Sequence, residues 1–313
     1  MKNKIIYSLI GLVLIIFNYQ NRITTIDKTT LDLIEEVNSY DTEKLWPEFK
    51  NKEYMKDIRY NSSKEFRYDH GKIIKKTPDQ AVASLEALKE GNKPLIKAVP
   101  FEKFRDIADQ GTSSNANLQK KYKSVIIHES FHCFQMEHGL SEVSDIMEND
   151  IKYDDPDYDK FVEVCKKLDE DKVYKKLWED EYKSLLSLYE NKDSSDYKNA
   201  REKRLSYVKT NFPSEYNYFV EMVNYREFIE GTARFVEEKY MMDIADDPYI
   251  KYRDRVFNSI DESYYSEGSL KAKVLDKLYP SWKENLDFSR NNNFDEMFKK
   301  GKFCEWKNFD SWW

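Results

Sequence analysis

His128-Glu129-Ser130-Phe131-His132 is an H-E-x-x-H string, and it uses two of the four histidines in 313 residues. On a helix, positions four apart share a face, so both imidazoles can reach one ion. Glu129 follows the first and projects beside that face, where a carboxylate can take a proton from metal-bound water. The string predicts a Zn2+ site on a helix, with His128 and His132 as ligands and Glu129 as catalytic base. The plainer reading, two helix histidines with ordinary polar partners, requires the pattern to arise by chance from a very small stock of histidine.

The flanks agree with a helix. Gly111-Thr112-Ser113-Ser114-Asn115 is loop-like and offers N-caps. From Leu118 the chain reads helical, with Tyr122, Val125, Ile126, Phe131 and Phe134 available for a core side. Gly139 is suited to end the helix just after His138. Val125-Ile126-Ile127 leads directly into the histidines, which predicts that the first ligand sits deep in the domain. Cys133 points about 100° around the helix from His132 and suits a small core residue.

A catalytic zinc usually has three protein ligands and one open position. Two places in the chain compete for the third. His138 gives the ligand spacing of the metzincins, H-E-x-x-H-x-x-G-x-x-H, but Gln135 stands where that pattern has Gly, and Gln does not readily take the positive φ that Gly tolerates. The other reading of His138 is a residue of the last helical turn, where a partly cationic ring suits the dipole.

The second candidate lies in Glu227-Phe228-Ile229-Glu230-Gly231-Thr232-Ala233-Arg234-Phe235-Val236-Glu237, inside a helix-like stretch from about Glu215 to Met242. With the first motif, this segment resembles the E-G-x-A helix of the gluzincins, the metallopeptidase group that includes thermolysin-like enzymes and zinc aminopeptidases. The resemblance implies a His, His, Glu zinc site with Glu230 as the third ligand. Gly231 and Ala233 would be the small residues that let the two helices approach. Glu237 falls two turns along, where the aminopeptidase branch also tends to have a glutamate. Glu227, one turn before Glu230, could orient a histidine or be the ligand itself. A solvated acidic face is the plainer account of both acids, but Gly in a helix costs on the order of 1 kcal/mol relative to Ala, so a packing reason is expected. In the familiar gluzincins the glutamate follows the second histidine by a few turns, whereas here residues 133–229 intervene and must leave and return without disturbing the two-helix core.

Peptide hydrolysis at zinc also benefits from a donor to the developing oxyanion, commonly Tyr or His. Asp261-Glu262-Ser263-Tyr264-Tyr265-Ser266-Glu267-Gly268 precedes an amphipathic run from Leu270 to Leu278. A tyrosine just ahead of a glycine there looks like related bacterial zinc peptidases, and the resemblance puts Tyr265, before Tyr264, in that role. The chain has 23 tyrosines, and packing is the ordinary use of either.

Lys2 and Lys4 precede an apolar run from Ile5 to Phe17, the pattern of an export signal. No small-x-small cleavage site follows, so residues 1–20 are expected to act as a signal peptide or signal anchor, with membrane anchoring through residues 5–17 and the body outside the cytoplasm. A net charge of −7 argues against nucleic-acid binding. Cys133, Cys165 and Cys304 give no disulfide framework.

Residues 21–115 read as mixed structure. Thr30–Tyr40 and Pro78–Lys89 are expected helices, Ile58-Arg59-Tyr60 and Phe66-Arg67-Tyr68 expected strands, and Lys97-Ala98-Val99-Pro100-Phe101 an expected edge strand whose Pro limits pairing. An exposed sheet edge could hold an extended peptide by main-chain hydrogen bonds. His70, between Asp69 and Gly71, reads as a turn residue. Residues 116–290 form the expected catalytic core. Within it, residues 140–212 are a helical insertion with breakers at Asp154-Asp155-Pro156 and Asn191-Lys192-Asp193-Ser194-Ser195. Its charge runs are expected to be solvated, and its helices could flank the cleft. Asp246-Asp247-Pro248 closes the second motif helix, and residues 291–313 form an aromatic tail expected to pack on the core. The expected architecture is α+β, predominantly helical: a zincin-like catalytic domain with a small N-terminal sheet and a helical insertion. The expected activity is zinc-dependent hydrolysis of peptide or protein substrates. A zinc-binding surface or interaction protein on the same scaffold, without turnover, is the alternative.

Overall fold

The computed structural model describes residues 23–79, 82–108, 114–140, 156–191, 195–245, 257–284, 286–290 and 292–300. Over these the chain is mixed α+β and mostly helical, with one five-stranded sheet. The apolar run 5–17, residues 111–113, Asp154-Asp155, Asp246-Asp247-Pro248, and residues 301–313 with Cys304 lie outside the described residues. Among the described residues no helix is long and apolar enough to cross a membrane. Two compact units are present. One comprises the residues before Thr42 with Asn51–Ile126, and the other Thr42–Lys50 with the residues from Ile127 onward.

In the first unit, Asp27 opens helix α1 (Lys28–Ser39) as an N-cap, its carboxylate accepting from the Thr30 amide at 2.9 Å. The helix buries Leu33, Ile34 and Val37. The sheet follows as β1 (Met55–Asn61), β2 (Lys64–Asp69), β3 (Lys72–Lys76), β4 (Leu85–Glu90) and β5 (Lys93–Ala98), in the order β3-β2-β1-β5-β4. Only β1 and β5 run parallel. The stretches at 58–60 and 66–68 are strands as expected, with Ile58 opposite Phe66, both buried. His70 and Gly71, at φ +48° and +81°, make the two-residue turn between β2 and β3.

Two expectations for this unit fail. Pro78–Lys89 was expected to be helical, yet Leu85–Glu90 is strand β4. Its Leu, Glu, Ala and Lys are good helix formers, but Leu85 and Ala87 bury one side in alternation and Gly91, at φ +63°, turns the chain back onto β5. Residues 97–101 are not an edge strand. Strand β5 ends at Ala98 and is hydrogen-bonded on both sides, and Pro100 instead precedes helix α2 (Phe101–Ala108), its carbonyl accepting from Phe104 N at 3.0 Å.

Helix α3 (Asn115–Glu137) carries the H-E-x-x-H string. Ser114 caps it, the hydroxyl accepting from Asn117 N at 3.3 Å, and Gly139, at φ +107°, stops it where expected. Tyr122, Ile126, Phe131 and Phe134 are buried, while Val125 is only half-buried. The second unit continues with α4 (Pro156–Glu170), α5 (Lys172–Asn191), α6 (Ser195–Asn211), α7 (Tyr216–Ala245), α8 (Ile260–Leu278) and α9 (Phe294–Lys300). Its core is aromatic. Trp46 lies 4.9 Å from Phe131 and 5.1 Å from Trp282 between ring centroids, and Phe228 stacks on Phe288 at 5.5 Å.

Helices α4, α5 and α6 make residues 156–211 largely helical, but their charges are not all solvated. Glu181 is fully buried between Arg201 and Arg204, at 3.0 and 2.5 Å. Helix α8 starts at Ile260, so Tyr264, Tyr265 and Gly268 lie in the first half of a helix that runs on through 270–278.

Candidate metal centre

Within the second unit, the C-terminal half of helix α3 carries two stripes. Phe131 and Phe134 join the aromatic core, while His128 and His132, four residues apart, face the other way, both buried. Their Nε2 atoms stand 3.1 Å apart. The third member of the group comes from the middle of α7. Glu230, fully buried, places Oε2 3.4 Å from His128 Nε2 and 3.5 Å from His132 Nε2. One donor atom from each of the three residues falls within 4.8 Å of the others.

Each imidazole is held from behind. His128 Nδ1 lies 3.2 Å from Glu237 Oε2, and that carboxylate also accepts from Arg234 at 2.9 Å. His132 Nδ1 lies 2.6 Å from Gln135 Oε1. Burial disfavours an imidazolium at His128, yet the carboxylates of Glu230 and Glu237 raise its pKa to about 10 in the metal-free protein. Burial likewise opposes ionisation of Glu230, but the imidazoles of His132 and His128 hold its carboxyl well below the usual range.

The other sequence candidates are placed as follows. Glu227 is not beside the histidines' Nε2 atoms. It pairs with Lys271 at 2.5 Å, both fully buried, and is not part of the group formed by His128, His132 and Glu230. The acid behind His128 is Glu237. His138 stands apart from the group of three. Its Nδ1–H donates to Phe134 O at 2.8 Å, and it lines a pocket of about 510 Å³ with Trp46, Phe134 and Lys283. Glu129, next to the first ligand, is half-buried. The Tyr265 ring lies 5.9 Å from that of His128, and burial, with Glu230 and Glu129 nearby, pushes its phenol well up, so it stays a proton donor. Tyr264 turns instead towards Arg226, 5.7 Å from its ring. Cys133 is a buried core residue outside the group, as expected.

Gly231 has its packing reason, but the partner is not α3. A Cβ on Gly268 of α8 would lie 2.7 Å from Gly231 Cα and 3.1 Å from Glu227 C, and closer still to the Glu227 carbonyl. Helices α7 and α8 therefore cross backbone to backbone one residue past Glu230.

These residues suit a divalent zinc ion. Glu230 is fully buried with no lysine or arginine among the described residues paired to it, its carboxylate facing His128, His132 and Tyr265, a costly state that a cation would relieve. Two imidazole nitrogens and one carboxylate oxygen are a common donor set for a three-ligand zinc site. Gln135, Arg234 and Lys271 are the residues that sequence reasoning missed. Gln135 alone left a trace, its spacing of three from His132, which shares a helix face. No family model, curated protein or solved structure matches the chain.

Proposed function

We propose that this protein is a zinc-dependent peptidase of the gluzincin kind, acting on peptides or proteins outside the cytoplasm. What supports the reading is the convergence of Glu230, from a helix far along the chain, on the paired Nε2 atoms of His128 and His132. When bound, zinc would polarise the scissile carbonyl and acidify a water molecule. Glu129, following His128 on the same helix, takes the proton of the attacking water and passes it to the leaving nitrogen. Tyr265, beside the His128 ring, donates to the oxygen that gains charge. His128, His132 and Glu230 would hold the ion, three protein ligands being the number usual for a catalytic zinc. The extracytoplasmic assignment rests on Lys2, Lys4 and the apolar run Ile5–Phe17.

The test is zinc content by elemental analysis together with digestion of a broad peptide library, on the wild type and on Glu129→Gln. Expected are one zinc per chain in both proteins and cleavage by the wild type reduced on the order of 10²–10⁴-fold in the variant. Full activity in Glu129→Gln overturns the mechanism. Stoichiometric zinc with no cleavage of any peptide would make the protein a zinc-binding surface protein instead.

A further inference from the structure

Gln135 occupies the position at which the metzincin pattern needs glycine, and it is fully buried. Its amide makes three hydrogen bonds. Nε2 donates to Ile229 O at 2.9 Å and to Thr232 Oγ1 at 2.7 Å, and Oε1 faces His132 Nδ1 at 2.6 Å. A backbone carbonyl can only accept, so the Ile229 contact fixes which end of the amide is nitrogen. Thr232 Oγ1 can receive the second amide hydrogen because its own proton goes to Phe228 O at 2.8 Å. With both amide hydrogens used, Oε1 must meet a donor, and His132 Nδ1 must carry a hydrogen. A neutral His132 then has its lone pair on Nε2, the atom that faces His128 and Glu230.

The same amide links the two ligand-bearing helices. Ile229 directly precedes Glu230, so the hydrogen bond to Ile229 O ties the peptide next to the third ligand to the residue that holds the second. We propose that Gln135 is a positioning residue of the metal centre, fixing His132 as the Nδ1–H tautomer and locking α3 to α7 beside Glu230. The proposal rests on the zinc reading above for its consequence, though not for the tautomer. Outer contacts of this kind typically change metal affinity 10–100-fold when removed.

Two measurements on the full-length chain decide it. In ¹⁵N-labelled protein, long-range proton–nitrogen correlation is expected to show His132 protonated at Nδ1, with a slowly exchanging proton, both without metal and with zinc. Zinc competition against a chelator is expected to show affinity 10–100-fold weaker in Gln135→Met. In Gln135→Glu the acceptor survives, so the Nδ1–H signal is expected to persist while the affinity still falls through loss of the clamp. A His132 protonated at Nε2 overturns the proposal, as does a Gln135→Met protein with zinc affinity within twofold of wild type. If Gln135→Met does not fold, Gln135→Glu and the wild-type spectrum decide. Wild-type protein that binds no zinc would defeat the functional reading alone, because the tautomer is read in the metal-free chain.

Discussion

Gly268→Ala probes the backbone-to-backbone crossing of α7 and α8, a place where stability and metal binding should separate. The new methyl group would sit 2.7 Å from Gly231 Cα and 3.1 Å from Glu227 C. Carbon atoms rest at about 3.5–4.0 Å, so α7 and α8 must part by about 1 Å. Both obstacles are backbone and neither can rotate away. Overpacking costs roughly 1–3 kcal/mol, and alanine recovers about 1 kcal/mol of helix propensity. The net loss is then about 0–2 kcal/mol, a fall in Tm of at most roughly 8 °C for a domain of this size. Zinc should respond far more sharply. Glu230 is covalently next to Gly231, and metal–ligand distances tolerate only about ±0.2 Å. A shift of about 1 Å in its helix exceeds that several-fold, so affinity should fall by at least about tenfold. Thermal unfolding in excess chelator gives the first quantity, and competition with a zinc-sensing chelator gives the second. A Gly268→Ala protein with wild-type zinc affinity would refute the claim that this crossing sets the third ligand.

Further substitutions test the neighbouring assignments. Glu230→Gln should abolish tight zinc binding, and affinity within threefold of wild type would remove Glu230 from the ligand set. Glu227→Gln should keep zinc while lowering stability towards the lower end of about 3–5 kcal/mol, because Lys271 retains Glu267 at 2.9 Å but loses half of its compensation; urea unfolding at unchanged midpoint would contradict this. His138→Ala should leave zinc affinity unchanged, since His138 stands apart from the group of three, and loss of metal there would restore the metzincin arrangement. In the first unit, Arg67 and Lys76 hold the exposed Glu90 carboxyl at about 2, below its ordinary 4.5. The stability this contributes is complete above the unfolded value and fades as pH falls towards about 2. Glu90→Gln should therefore flatten acid unfolding over that window, and identical acid profiles for the two proteins would show that the pairing contributes nothing.

The legible parts of this chain were those governed by local periodicity or by sparse residue types. Helix α3, its glycine stop and its paired histidines follow from spacing within a few turns, as do the strands around Ile58 and Phe66. Strand β4 was misread because Leu85, Ala87 and Lys89 favour a helix locally, and their partner strand β5 overrides that preference through pairing. The inner position of β5 was hidden for a related reason: its parallel neighbour β1 lies some distance back in sequence, and nothing in residues 93–98 announces it. At the metal centre, Glu230 was visible through a glycine placed inside a helix. The glycine's partner was not, because Gly268 has no side chain to form a pattern. Gln135 was read for the glycine it replaces rather than for the amide it supplies.

Helix α7 offers two buried acids one turn apart, and what separates ligand from structural residue is the charge around each. Behind α7, among the described residues, Arg201, Arg204 and Lys271 face the carboxylates of Glu181, Glu227, Glu267 and Asp295. Three cations cannot balance four buried anions, and the excess is removed at Glu267, whose carboxyl is pushed up by burial and then by Glu227. Glu227 thereby keeps Lys271 as its partner. Glu230 has no such partner: no lysine or arginine among the described residues pairs with it, and the imidazoles of His128 and His132 and the Tyr265 phenol stand against it. A fully buried carboxylate gathered with two imidazoles could hold a metal cation. Two of the three balancing cations, Arg201 and Arg204, come from the helices that separate the two motifs. The long intervening segment therefore does more than leave and return, because its arginines help balance the acids behind α7.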